Sequence, residues 1–466
     1  MPAVQFGIQA YQARALPLAA QQCVNYYAEA APPDAKSQVV CYNSPGIKAF
    51  GDGLAGAVRG AKVMAGVLYV VAGDTVYSVN SSGTETSLGT IDTFVSPVSM
   101  AVNRAAVQEL CIVDGADGWI YDTSNGLVKI SDGDFQSADT VTFQDGYFIF
   151  NYAGTSQFFI SALNDGTSIT ATDFADAEGS PDKVVAVYSN HRELWVFGEE
   201  TTEVYFNSGN LDFPFERISG AYLERGCGAA HSIADDDNTL FWLGEDKIVY
   251  RAVGYTPQRI STHAIEEEMR KMSSVSDAFA FFVTIEGHKF YHLTFPTGEK
   301  TFVYDVSTGF WHERESLDAR YWRVSSYVDV YGKHLVGDAF QGRIGELDLD
   351  TFQEFGSTMQ GILAGPVIHN DRKRLFHRRF ELDIESGVGT TTGGDPQLWM
   401  DYSDDGGRTW SARKPFRSLG ARGEYQKRLR WLRLGSSRTR IYRVTVADAV
   451  KRSIIASNVD IEAGEH

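Results

Sequence analysis

Cysteine is scarce in this chain: four residues in 466, at Cys23, Cys41, Cys111 and Cys227, far apart and without a C-x-x-C pair. That spacing excludes a disulfide-stapled scaffold and a paired-cysteine zinc site, and it fits four buried thiols in a reducing compartment. No run reaches the ~18 uninterrupted apolar residues of a membrane span. The opening MPAVQFGIQAYQARALPLAA lacks the charged start and apolar core of a signal peptide. There is no G-x-S-x-G, no P-loop and no H-E-x-x-H, so no cofactor or metal pattern is expected. Helical periodicity is also nearly missing. The exception is THAIEEEMRKMSSV (Thr262–Val275), where Ala264, Ile265 and Met269 share a face and Glu266 and Arg270 form an i,i+4 pair.

What is present points to strands. The chain has 45 Gly, 28 Phe, 22 Tyr and 8 Trp against 13 Pro. Aromatics fit pleated, half-buried surfaces, and glycine supplies the left-handed turns that many short strands need. With 43% hydrophobic and 22% charged residues, the composition is that of a folded globular chain, and its length suggests two to three domains.

The strands recur as a unit, an apolar strand, a polar turn and a second strand. The copies begin at GVLYVVAGDTVYSVN (Gly66), ELCIVDGADGWIYDT (Glu109), GYFIFNYAGTSQFFIS (Gly146), RELWVFGEETTEVYFN (Arg192), TLFWLGEDKIVYRAV (Thr239) and HKFYHLTFPTGEKTFVYDV (His288). A weaker copy, KHLVGDAFQGRIGELDL, begins at Lys333. The starts lie 37 to 49 residues apart, the repeat length of propeller blades, which bury both faces only by stacking radially. Seven blades are expected over residues 51–354, or six if the weak copy is an extension. Beyond Thr351 the period breaks into longer alternating strands (His377–Gly389, Pro396–Ser418, Lys427–Gly435, Arg440–Asp448), which indicate a β-sandwich or jelly-roll-like domain over 355–466. Residues 1–50 lack the blade pattern, and are either an extended arm or the source of a strand elsewhere. The fold class is therefore all-β.

Charge divides at the same place. Residues 1–354 carry 23 Lys/Arg against 47 Asp/Glu, and residues 355–466 carry 19 against 13. Such a shift marks a domain boundary and two surfaces with different neighbours.

Three patterns bear on chemistry. Ser403, Asp405, Gly407, Thr409 and Trp410 spell S-x-D-x-G-x-T-W, which resembles the Asp-box hairpin of sialidases and other propeller proteins. A turn held by Asp405, relaxed by glycine and underpinned by Trp410 is a complete structural account. A catalytic account needs an arginine cluster, a Tyr–Glu nucleophile pair and an acid/base carboxylate converging at the ring centre. Second, Arg372, Lys373, Arg374, Arg378, Arg379, Lys427, Arg428, Arg430 and Arg433 interleave with aromatics as a candidate docking face for an acidic protein. A nucleic-acid surface is the less favoured reading of it. Third come two weak candidates, the turn Asp114–Gly118, which lacks calcium-loop spacing, and Cys227 with His231, four residues apart.

The order of these pieces resembles the tail hub, or nozzle, proteins of short-tailed phages, the packaged-DNA stabilisation family. The resemblance rests on CVNYYAEAAPPDAKSQVVCYNSPGIKAFGDG, then VRGAKVMAGVLYVVAGDTVY, then WVFGEETTEVYFNSGN with ERGCGAAHSI, and finally FELDIESGVG, LWMDYSDDGGRTW and KRLRWLRLGSSRTRIYRVTV. It implies a non-enzymatic virion component, assembled in the host bacterial cytoplasm. It also implies a homo-oligomeric ring, typically a hexamer, below the portal and its adaptor ring. Such a ring extends the DNA channel close to duplex DNA, helps retain packaged DNA, and anchors tail fibres or tailspikes and a needle or plug. No catalytic or cofactor residues carry over. The alternatives from the residues themselves are a glycan-active, sialidase-like propeller hydrolase and a glycan-binding propeller.

Overall fold

The structure, a computed structural model, describes residues 3–4, 6–177, 179, 182–210, 212–317, 319–390 and 394–464. Seven four-stranded antiparallel blades lie in chain order. Six are continuous in sequence, over 58–90, 99–129, 141–176, 184–223, 234–259 and 279–314. The seventh takes three strands from 324–348 and its fourth, Gly46–Gly51, from near the N-terminus.

Stacking explains why the repeats read as apolar runs rather than alternating strands. In blade 1, Leu68 and Val70 face a core shared with blade 7, while Tyr69 and Val71 face a core shared with blade 2. A strand buried on both faces has no polar side to alternate. Among the described residues there are seven such cores, one between each adjacent pair of blades. The expected helix runs His263–Lys271 and braces blades 5 and 6 with Ile265 and Met269. Thr262 caps it by accepting the Ile265 N–H. Glu266, 1% exposed, is held by Arg259 at 2.7 and 2.8 Å and by Arg270 at 3.3 Å.

The weakness of the last repeat has a physical reason. Its fourth strand comes from the other end of the chain, with Leu347 opposite Ile47 and Glu346 opposite Lys48. The approach is close: a Cβ on Gly345 would fall 2.1 Å from Ile47 Cγ2. Of the two readings open for residues 1–50, the structure shows the strand-supplying one, in both domains, and the described residues form no separate arm. Strands with unpaired edges gain backbone partners by joining existing sheets.

The second domain is a sandwich. One sheet runs Tyr26–Ala30, Val39–Asn43, Ser453–Ala463, Leu375–Ile384, Leu429–Leu432. The facing sheet runs Ala20–Val24, Gly361–Ala364, Thr439–Val446, Gln397–Ser403, Arg417–Ser418. Phe380, Trp431, Tyr442, Met400 and Leu398 fill the space between them, with Cys23 and Cys41. All four cysteines are free and buried. The second sheet is continuous with blade 6, because Val24 pairs in parallel with Glu313 on that blade's outer strand. The sandwich is thus joined to the rim of the ring, beside the propeller axis rather than on it.

Candidate functional site

The ring centre is where a propeller enzyme would work. The inner strands of the blades enclose a channel of about 740 Å³, lined by Lys62, Arg104, Tyr188, His231, Asp235 and Asp277 among others. Tyr188 donates its hydroxyl proton to Asp235. Burial lowers His231 to about 4, so its imidazole is neutral at pH 7. Arg59, at one mouth, is consumed by backbone: it donates to the carbonyls of Gly73 (2.8 Å) and Thr93 (2.7 Å). No glutamate is among the described lining residues. A Tyr–Glu pair does exist, with Tyr205 donating to Glu203 at 2.7 Å, but both are almost fully buried in blade 4. The arginine cluster, exposed Tyr–Glu pair and second carboxylate of a sialidase-type centre are therefore not brought together in the described channel.

The two weak candidates resolve locally. Asp114 accepts the N–H groups of Ala116 (3.1 Å) and Asp117 (2.9 Å), which makes it a turn residue. The Cys227 thiol donates to the Ala229 carbonyl at 3.1 Å, and burial pushes it up to about 11, the opposite of an activated nucleophile. Among the described residues, no group of three or more His, Cys, Asp or Glu is placed to hold a metal ion.

The Asp-box residues form one compact turn at the end of strand Gln397–Ser403. Ser403 Oγ donates to Asp405 Oδ1 at 2.7 Å and accepts the Gly407 N–H at 2.8 Å. Asp405 also accepts the N–H groups of Arg408 (3.0 Å) and Thr409 (2.9 Å) and the Thr409 hydroxyl (2.6 Å). These bonds, the Thr409 hydroxyl first, hold the Asp405 carboxyl well below the usual carboxylate range. Gly406 and Gly407 take φ of 80° and 91°. A Cβ on Gly406 would meet the Pro17 Cα at 2.8 Å, because the N-terminal segment passes directly beneath. Trp410 packs with Leu16, Ala20, Val367 and Ile441, and the Arg443 guanidinium lies 3.8 Å from its ring.

The chain that leaves the turn after Thr409 and Trp410 is irregular. Ser411 N–H bonds the Tyr402 carbonyl and Lys414 N–H the Met400 carbonyl (both 2.8 Å), but regular pairing resumes only at Arg417–Ser418. The sequence reading also missed Asp404, whose two oxygens take Arg440 Nε and Nη2 at 2.6 and 2.7 Å. Arg440 is 1% exposed and stacks 3.8 Å from the Tyr402 ring, so the box neighbours a buried charge. Alternation in RTRIYRVTV, which puts Arg440 on the side of Tyr442, was the available signal.

The basic residues gather on the sandwich sheet that ends in Leu429–Leu432, but with acids among them. Arg428 holds Glu381 with two bonds (2.8 and 3.0 Å), and Arg378 Nε holds Glu462 at 2.8 Å. Lys427 pairs with Glu424 at 2.9 Å, and Arg379 lies 3.8 Å from both Glu381 and Asp460. Arg372, Lys373 and Arg374 are exposed on the preceding turn. Arg430 and Arg433 are exposed, with no ion pair among the described residues.

Residues 4–352 match the family described as Bacteriophage P22 Gp10, beta-propeller, and residues 361–462 match Bacteriophage P22 Gp10, beta-sandwich. No curated protein matches the chain. Among solved structures, virginiamycin B lyase from Staphylococcus aureus is 12% identical with a TM-score of 0.44, covering 63% of this chain and 94% of its own. The computationally designed Ika8 protein is 14% identical with a TM-score of 0.39, covering 70% and 99%. PorZ, a type-IX secretion component of Porphyromonas gingivalis, is 13% identical with a TM-score of 0.39, covering 70% and 44%. At these scores the likenesses carry no argument about function.

Proposed function

The chain belongs to the bacteriophage P22 Gp10 family, as a phage tail structural protein with the propeller and the sandwich in family order, and from that premise we propose that it is the ring subunit of a tail nozzle. In this reading copies assemble in the host cytoplasm below the portal and adaptor, extend the DNA channel, help retain packaged DNA, and anchor fibres or spikes and a needle. The match over both domains is the observation that carries it.

The same reading bears on where DNA would pass. The propeller's own channel, about 740 Å³, has the size of a small-molecule pocket and is far too small for a duplex. In this reading the DNA passage lies between copies, on the axis of the oligomer. The propeller's acidity suits such a passage, since Lys/Arg contacts to phosphate would add affinity and drag. A channel wall rich in Lys and Arg in the assembled ring would defeat this part of the reading.

The test is to mix the purified chain with its portal and adaptor and image the product by electron microscopy. A closed ring of fixed symmetry beneath the adaptor supports the proposal. A chain that stays monomeric there, or that turns over sialosides or capsular glycan with dependence on Asp235 or Asp277, overturns it.

A further inference from the structure

The strand order separates two oppositely charged poles. In the first sandwich sheet, Tyr26–Ala30 lies on the propeller side, where Tyr27 packs on His288 and Phe290 of blade 6. Three strands lie between it and Leu429–Leu432, which is the far edge. At ~4.8 Å per strand, that edge stands roughly 20 Å from the propeller contact. It carries the exposed Arg430 and Arg433 with Leu432 (57% exposed) between them, and Phe416 (50%) adjoins Arg417, whose Nε donates to the Arg430 carbonyl. Arginines and aromatics at an open sheet edge are what protein interfaces favour. Carboxylates of Glu381, Glu424 and Glu462 stand among the arginines. A phosphate backbone sets an unbroken row of negative charge against them, whereas a folded partner can place uncharged side chains opposite them.

The other pole is on the propeller. Residues 130–223 contain 15 Asp/Glu and three Lys/Arg, Lys183, Arg192 and Arg217. They build blades 3 and 4, three and two blades round the ring from blade 6, which bears the sandwich. The outer strands there, Asp165–Asp176 and Phe215–Leu223, have open outer edges. Asp165, Asp176, Asp212 and Glu216 are exposed on or beside them, as are Leu163 and Phe206. One chain thus carries a basic patch and an acidic patch, each with exposed apolar side chains, too far apart to meet within the molecule.

We propose that the far edge of the sandwich docks on the outer edge of blades 3 and 4 of a second copy of this chain. Because the two patches differ, the contact is head-to-tail, and such contacts repeat into a ring when the rotation closes. The charge pair sets orientation and register, and the exposed leucine and aromatic side chains supply apolar burial. The inference deepens the ring-subunit reading and rests on it.

Charge reversal tests it, in the mixture of chain, portal and adaptor. One variant carries Arg430→Glu and Arg433→Glu, another carries Asp165→Lys, Asp176→Lys and Glu216→Lys, and a third carries all five. All five side chains are exposed, and thermal melting checks that each variant is folded. Ring yield should fall about tenfold or more in each single-patch variant, through like-charge juxtaposition, and recover in the five-fold variant. Single-patch variants that assemble like the parent, or a five-fold variant that stays unassembled, overturn the inference while leaving the ring reading intact. So does loss of duplex-DNA binding in the sandwich variant with rings unchanged, since that assigns the edge to nucleic acid. Failure of the unsubstituted chain to form rings is a failure of the ring reading itself.

Discussion

Asn25 and Glu315, 290 residues apart, exchange two hydrogen bonds: the Asn25 amide donates to the Glu315 carbonyl at 2.9 Å, and the Glu315 N–H donates to the Asn25 side-chain oxygen at 3.2 Å. The same amide donates to the Gln360 carbonyl at 2.7 Å. One side chain, 1% exposed, therefore joins the N-terminal segment, the end of blade 6 and the start of the sandwich. Asn25→Ala strands these backbone groups without partners. It should lower stability by about 1–3 kcal/mol, read as a reduced midpoint in urea unfolding.

Closure of the ring depends on Ile47, which is fully buried between blades 6 and 7. Ile47→Ala removes apolar volume at a site that backbone pairing prevents from collapsing. A loss of about 2–4 kcal/mol is expected. Amide exchange should speed up first in Ile344–Asp348, the strand that pairs with it.

For the Asp-box, Trp410→Ala should destabilise the sandwich by about 1–3 kcal/mol, since the half-buried ring packs on the N-terminal segment. Asp405→Ala should lower the sandwich melting temperature without abolishing any chemistry. The Asp405 carboxyl titrates below its ordinary range, so its contribution is complete above ~pH 4–5 and is lost as pH falls further. Melting of parent and variant at pH 7 and pH 3 checks both points: their difference should shrink in acid. A glycosidase activity that vanished in Asp405→Ala with folding intact would reverse this assignment.

His377 gives a second pH signature. It is buried, bridges Tyr442 (2.8 Å) and Ser437 (2.9 Å), and burial with the Arg440 charge lowers it to about 4. Neutral His377 supports the fold fully above its ordinary pKa near 6.5. That support fades as pH falls from ~6.5 towards about 4, by on the order of 3 kcal/mol at most. His312, lowered by burial to about 3, acts in the same direction in blade 6. His288 is raised by its bond to Asp305 and acts oppositely, losing its contribution as pH rises. His377→Gln should flatten the pH dependence of sandwich unfolding between pH 4 and pH 7.

Much of the propeller was legible because the middle two strands of each blade are buried on both faces, as Leu68–Val71 shows. Inner and outer strands were harder to see. Inner strands line the central channel, and outer strands such as Glu85–Thr90 carry mixed, exposed side chains. The origin of blade 7's fourth strand was invisible for a different reason, since pairing of Gly46–Gly51 with Ile344–Asp348 is set by topology and not by local pattern. The strand Ser453–Ala463 escaped notice because an extra residue, Ile455, breaks its alternation near its start, where Ile384 pairs with Ile454 and Asp383 with Ala456. At the candidate sites, residue types were legible and partners were not. The Asp405 turn could be read from S-x-D-x-G, but its seat on Pro17 and the Asp404–Arg440 pair join segments distant in sequence.

The central claim, that this chain is a repeated structural subunit of a tail, is tested most directly by electron cryomicroscopy of intact virions with the chain labelled at its C-terminus. Density is expected for several copies in a closed ring below the portal and adaptor, each propeller's own channel off the DNA axis. Virions that lack the chain, or that hold it as a single copy on the tail axis, would contradict it.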